Sequence, residues 1–152
     1  MAKLGNPAFV SAGEGKICNV FSDKITVKVS GEMTNGAYSI SEDVTPSGGG
    51  APLHVHRRED EMFYVLEGDY EFQCGDRRFK GSGGATVHLP RDIPHAFKNA
   101  GTTTGKFLIF LVPGGMEKVF EEISLMPPGP PSIEETNQIT MKYGVEFLPL
   151  PK

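Results

Sequence analysis

His54-Val55-His56-Arg57-Arg58-Glu59-Asp60-Glu61 runs straight into Met62-Phe63-Tyr64-Val65-Leu66-Glu67-Gly68. Two histidines one residue apart project from the same face of a β-strand, because side chains alternate at period two. Their imidazoles can therefore converge on one point. Glu61 lies five residues beyond His56, the wrong parity for an unbroken strand, so the chain has to turn or bulge between them. A second cluster, Gly84 and then Pro90-Arg91-Asp92-Ile93-Pro94-His95-Ala96-Phe97-Lys98-Asn99, adds a third imidazole. Three imidazoles and a carboxylate make a ligand set suited to a divalent transition metal, with Zn, Fe, Mn, Ni and Co all admissible.

The spacings carry a family resemblance. Gly48, five residues, His54-x-His56, four residues, Glu61, six residues and Gly68 resemble the first cupin motif. Gly84, five residues, Pro90, then His95, three residues and Asn99 resemble the second. Asp92 departs from the pattern, standing where the family usually has glycine. Asp is among the few residues that tolerate a left-handed turn, so the tight turn can survive there. The two motifs cover about a third of the chain, and fifteen residues separate Gly68 from Gly84. That short spacer resembles small single-domain bacterial cupins, including quercetin dioxygenase-like ones.

The resemblance implies an all-β cupin barrel (a double-stranded β-helix, or jelly roll) with short C-terminal helices. It also implies one divalent metal ion, Fe, Mn, Ni, Co or Zn, held by His54, His56, Glu61 and His95. Four protein ligands on an octahedral ion leave two positions, enough for a bidentate substrate or for substrate and O₂. The function expected is that of a metal-dependent dioxygenase-like enzyme acting on a small chelating compound, flavonol- or diketone-like. Glu61 is expected to be both ligand and catalytic base. A metal-dependent isomerase or lyase and a non-catalytic small-molecule binder are the alternatives. Small cupins commonly pair through barrel faces, so a homodimer is expected.

Composition sets the outer bounds. At 152 residues one domain over 1–152 is the natural reading, with a barrel over about 20–113 and a helical appendage over about 114–152. Nineteen glycines and twelve prolines against no tryptophan suit many turns and short strands. A net charge of −4 offers no electrostatic reason to bind nucleic acid or an anionic membrane. Two cysteines are too few for a disulfide scaffold. No continuous apolar segment suggests a signal peptide or a membrane span, so the cytoplasm is expected by default.

Along the chain, eight or nine short strands recur at intervals of about ten residues, a sandwich or barrel pattern. Residues 24–30 alternate cleanly, Asn35-Gly36 signals a hairpin, and residues 37–45 read as the next strand. Residues 106–112 are apolar throughout and predict a strand buried on both faces. Val119, Phe120 and Ile123 predict a short amphipathic helix over 116–125, followed by the rigid Met126-Pro127-Pro128-Gly129-Pro130-Pro131 linker. Ser132 predicts an N-cap, Gly144 a stop, and the apolar tail over 145–150 should dock on its own barrel or on a partner. His88 has no motif role and reads as a surface or packing residue. Glu59 and Asp60 read as a solvated turn, and Arg57-Arg58 as a surface charge pair.

Overall fold

The computed structural model describes residues 5–150. The expected single domain over 1–152 thus has both its ends, residues 1–4 and 151–152, outside the described residues. The strands, in chain order, are β1 (Lys16–Val20), β2 (Asp23–Val29), β3 (Ser39–Thr45), β4 (Gly50–His56), β5 (Asp60–Glu67), β6 (Tyr70–Cys74), β7 (Arg77–Gly81), β8 (Thr86–Leu89), β9 (His95–Asn99), β10 (Gly105–Val112) and β11 (Val145–Phe147). Helices α1 (Glu117–Ser124) and α2 (Ile133–Thr140) lie between β10 and β11. Among the described residues, no helix is long and apolar enough to cross a membrane. Cys18 and Cys74 are both free thiols.

Two antiparallel sheets face one another. One has six strands in the order β1-β2-β3-β10-β5-β8, the other five in the order β11-β4-β9-β6-β7. Period-two alternation decides what they enclose: Phe63, Val65, Phe107, Ile109, Leu111, Phe72 and Phe97 are all buried. Phe63, Phe97, Phe107 and Tyr70 meet edge-on or tilted, with the Phe63 and Phe107 centroids 4.6 Å apart and Phe97 and Phe107 5.1 Å apart. Aromatic rings favour such geometry over face-to-face stacking.

Two local expectations change. β10 is not buried on both faces: Phe107, Ile109 and Leu111 are buried, whereas Leu108 and Phe110 are half-buried and Val112 is exposed. A strand central within its sheet has its backbone satisfied on both sides without its outer face being covered, and apolar content alone does not separate the two cases. Asn35 and Gly36 do have the left-handed backbone of a hairpin turn, at φ 54° and 84°. They sit inside a longer loop over 30–38, where the Gly36 N–H returns to the Gly31 carbonyl and Gly36 accepts from the Gly114 N–H.

The C-terminal third follows its punctuation. Val119, Phe120 and Ile123 of α1 are buried and line the cavity between the sheets. Ser132 caps α2 in a reciprocal box with Glu135, each side chain bonding the other's backbone N–H. Gly144 takes the left-handed stop, and the tail then docks on its own barrel. β11 adds to the five-stranded sheet as an edge strand, with Val145 opposite His56 and Phe147 opposite His54.

Candidate metal centre

His54 and His56 occupy the inward face of β4, at the end of the strand. β4 pairs with β9 so that His54 stands directly opposite His95. After His56 the chain leaves the five-stranded sheet, crosses over residues 57–59, and enters the six-stranded sheet as β5 with Glu61 pointing back inward. This is the turn that parity demanded. The Asp92 N–H ties the crossing to β9's approach loop by donating to the His56 carbonyl, 2.8 Å away. Asp92 itself has φ 66°, the left-handed conformation that glycine adopts most readily and Asp tolerates.

The four side chains converge. One nitrogen or oxygen from each of His54, His56, Glu61 and His95 lies within 4.8 Å of the others, and all four residues are buried. His56 Nε2 is 3.5 Å from one Glu61 oxygen, and His95 Nε2 is 3.4 Å from the other. The His54 Nδ1–H donates to the Pro52 carbonyl over 2.7 Å. Because a carbonyl can only accept, that bond fixes the proton on Nδ1 and leaves the Nε2 lone pair for a ligand. His95 is 1% exposed, and neither of its ring nitrogens has a hydrogen-bond partner. A buried polar group without a partner calls for an explanation, and an ion coordinated at Nε2 supplies one. The residues present therefore fit a divalent metal.

The electrostatics of His54 and Glu61 agree with that reading. Burial, reinforced by the neighbouring His95 and His56, holds His54 well below its ordinary value, so it is neutral as a ligand has to be. Burial also pushes Glu61 upward, but His56 and His95 outweigh it and keep Glu61 below the usual carboxylate range. In His56 burial pushes downward, yet Glu61 and Glu59 together raise it.

Glu59 corrects the expectation of a solvated turn. It is 7% exposed, and its Oε2 lies 3.5 Å from His56 Nδ1. Only Asp60 stays at the surface, paired with Arg91 at 3.2 Å. Glu59 thus stands behind His56 at ion-pair distance, without the hydrogen bond that ties His54 to the Pro52 carbonyl. Partners of this kind orient a ligand imidazole, and losing one typically costs about 10–100-fold in metal affinity. Glu59→Ala is expected to weaken metal binding by that factor in a competition titration against a chelator. An unchanged affinity would make Glu59 a bystander. His88 is exposed on β8, and Arg57 is paired outward with Asp92 at 3.3 Å, so both keep to the surface as expected. Asn99, the last motif residue, is structural: its amide donates to the Thr45 and Thr103 carbonyls.

The cavity beside the cluster measures about 50 Å³ and is walled largely by apolar side chains, among them Phe63, Phe97, Phe147, Val119 and Phe120. Phe147, from the docked tail, stacks on His54 with centroids 4.9 Å apart. Phe63 and Phe97 line the cavity, Phe72 packs in the core, and Tyr38 and Phe110 are not among the lining residues.

Residues 41–111 match the family model of the cupin domain. The chain carries a cupin domain. An uncharacterized protein of Methanocaldococcus jannaschii is 31% identical over 70 residues, covering 46% of this chain and 56% of its own length. The quercetin 2,3-dioxygenase of Bacillus subtilis is 27% identical over 92 residues, covering 60% of this chain. This cupin spans only 27% of that dioxygenase. Among solved structures, KdgF from a Halomonas species superposes with a TM-score of 0.67 at 15% identity, over 74% of this chain and 99% of the other. That likeness is one of fold.

The same cavity is lined by two acids outside the cupin motifs, Asp23 on β2 and Asp43 on β3. They are 4% and 1% exposed, and buried like charges that act on one another disfavour ionisation of both, so one of the two holds a proton. Burial pushes Asp23 up to about 6, partly offset by the hydroxyls of Ser22 and Thr45 and by Asp43. Asp43 is raised further, by burial and then by the Asp23 charge. An unfolded aspartate releases its proton near pH 3.9, roughly two pH units earlier. Between about pH 4 and pH 6 the folded state therefore holds protons that the unfolded state has lost, and stability falls as pH rises. Asp23→Asn removes that loss. Its unfolding free energy is expected to match wild type near pH 4 and exceed it by about 2 kcal/mol near pH 8, read from denaturant midpoints. A pH-independent difference would show that Asp23 ionises freely in the fold.

Proposed function

We propose that this cupin is a metal-dependent, dioxygenase-like enzyme acting on a small chelating organic substrate, with O₂ as co-substrate. The observation that carries the metal part is the convergence of His54, His56, Glu61 and His95 in a buried apolar cavity with the His95 nitrogens unpartnered. The partial likeness to a quercetin 2,3-dioxygenase supports the reaction class. A cavity of about 50 Å³ has room for only a few water-sized groups, which favours a diketone-like compound over a three-ring flavonol.

Bound at this cluster, a divalent metal would polarise the oxygens of a chelating substrate as a Lewis acid. The chain's own residues do the rest. The Pro52 carbonyl holds the His54 imidazole in orientation, and the Glu59 carboxylate stands 3.5 Å behind that of His56. The walls from Phe63, Phe97 and α1 exclude water, which strengthens every charge interaction inside. Glu61, kept ionised by its flanking imidazoles, is placed to accept a proton from an enol or hydroxyl group.

The test is an oxygen-electrode screen of small diketones and flavonols with metal-loaded protein. Substrate-dependent O₂ uptake is expected with diketones. Conversion without O₂ uptake would replace this reading with an isomerase or lyase, and a ligand recovered unchanged would replace it with a binding protein.

A further inference from the structure

A core strand normally presents apolar residues inward, and β3 does not. Ser39, Ser41, Asp43 and Thr45 all point inward and are at most 2% exposed. Asp23 joins them from the neighbouring strand. Two carboxyl groups inside an apolar cavity are costly, and hydrophobic residues there would pack at no such cost. Each acid is partly satisfied by the chain: Ser22 donates to Asp23 and Thr45 to Asp43, each over 3.0 Å. Beside Thr45, the Tyr70 hydroxyl is buried and has no hydrogen-bond partner, and burial together with the Asp43 and Asp23 charges pushes it up to about 12. It therefore stays a donor. The cavity thus has two polar poles on otherwise apolar walls, the histidine cluster and this acid pair.

We propose that Asp23 and Asp43 form a recognition site for a hydroxyl group of the substrate whose chelating end lies at the histidine cluster. The pair offers one acid O–H and one carboxylate, and a hydroxyl both accepts and donates, so it meets both. A carboxylate at that position could only accept and would stand beside a like charge, with no Lys or Arg among the residues lining the cavity to offset it. The substrate class follows: small, apolar in the middle, chelating at one end and hydroxylated rather than acidic at the other. This rests on the metal reading for its chelating end only.

The experiment titrates butanoate, 4-hydroxybutanoate and succinate into the full chain by calorimetry, with nickel-loaded and metal-free protein. The three share one carboxylate head and differ only at the far end. In the loaded wild type, 4-hydroxybutanoate is expected to bind at least about tenfold tighter than butanoate, the scale of one well-made hydrogen bond. Succinate should bind no tighter than butanoate. The double variant Asp23→Asn/Asp43→Asn keeps donors and acceptors but loses the charge, so its succinate affinity should rise about tenfold at unchanged nickel content. A merely structural pair would leave that ranking alone. Three compounds binding alike or not at all to nickel-loaded wild type, or a double variant with the wild-type ranking, overturns the proposal. Failure to take up nickel instead overturns the metal reading, and the ranking on the metal-free chain then decides for or against the pair.

Discussion

His95→Ala lowers the affinity for a divalent ion by at least about a hundredfold. Loss of a partner behind a ligand costs about 10–100-fold, so loss of the ligand itself starts at the upper end of that range. His95 is chosen because nothing else in the fold accounts for it. It is 1% exposed, sits on β9 opposite His54 of β4, and has two ring nitrogens without partners. His54→Ala and His56→Ala should behave alike, whereas His88→Ala, on the exposed side of β8, should leave affinity unchanged. Metal per chain after equilibrium dialysis reads the effect. Undiminished metal in all three ligand variants would place the ion elsewhere. The same site also sets a pH limit, because ligand imidazoles have to lose their protons. His56 is the one held above its ordinary value, so protons compete there first as pH falls. The melting advantage that metal confers should shrink below about pH 6.

What the sequence made legible was geometry carried by spacing. His54-x-His56 implied one strand face, and the odd step to Glu61 implied a sheet change; both are present. Asp92 in place of glycine implied a tolerated left-handed turn, and its φ of 66° is one. Ser132 and Gly144 marked their helix ends because capping is a local interaction between neighbours in sequence.

What stayed hidden depends on contacts between distant segments. Glu59 looked solvated because its neighbours Arg57, Arg58 and Asp60 are charged, yet the sheet crossing folds it behind His56. The polar inward face of β3 gave no signal, since Ser, Asp and Thr in alternation also describe a strand facing water. Only the pairing of β3 with β10 turns those side chains into the barrel. The apolar character of the tail over 145–150 was visible, but its choice of the histidine strand as partner is a tertiary outcome. That choice places Phe147 against His54 and makes the C-terminus part of the site.

Glu61→Gln should keep the metal and lose at least about a hundredfold in turnover. Both oxygens of Glu61 face imidazole edges, at 3.4 and 3.5 Å, and His56 and His95 keep the group ionised despite its burial. The side chain therefore brings the one negative charge that three neutral imidazoles lack. Having two oxygens, it can ligate through one and accept a proton through the other. Glutamine retains a ligating oxygen of similar reach and fits the same space, but its amide cannot take a proton. General-base assistance is typically worth 10²–10⁴-fold, which sets the expected loss. Metal content and thermal melting measured on the same sample separate a chemical effect from a structural one. If Glu61→Gln turns over normally with metal bound, Glu61 is a ligand only. The proton then goes to another carboxylate lining the cavity, and the ionised member of the Asp23–Asp43 pair is the group that can take it. In that event Asp23→Asn, and not Glu61→Gln, should carry the hundredfold loss.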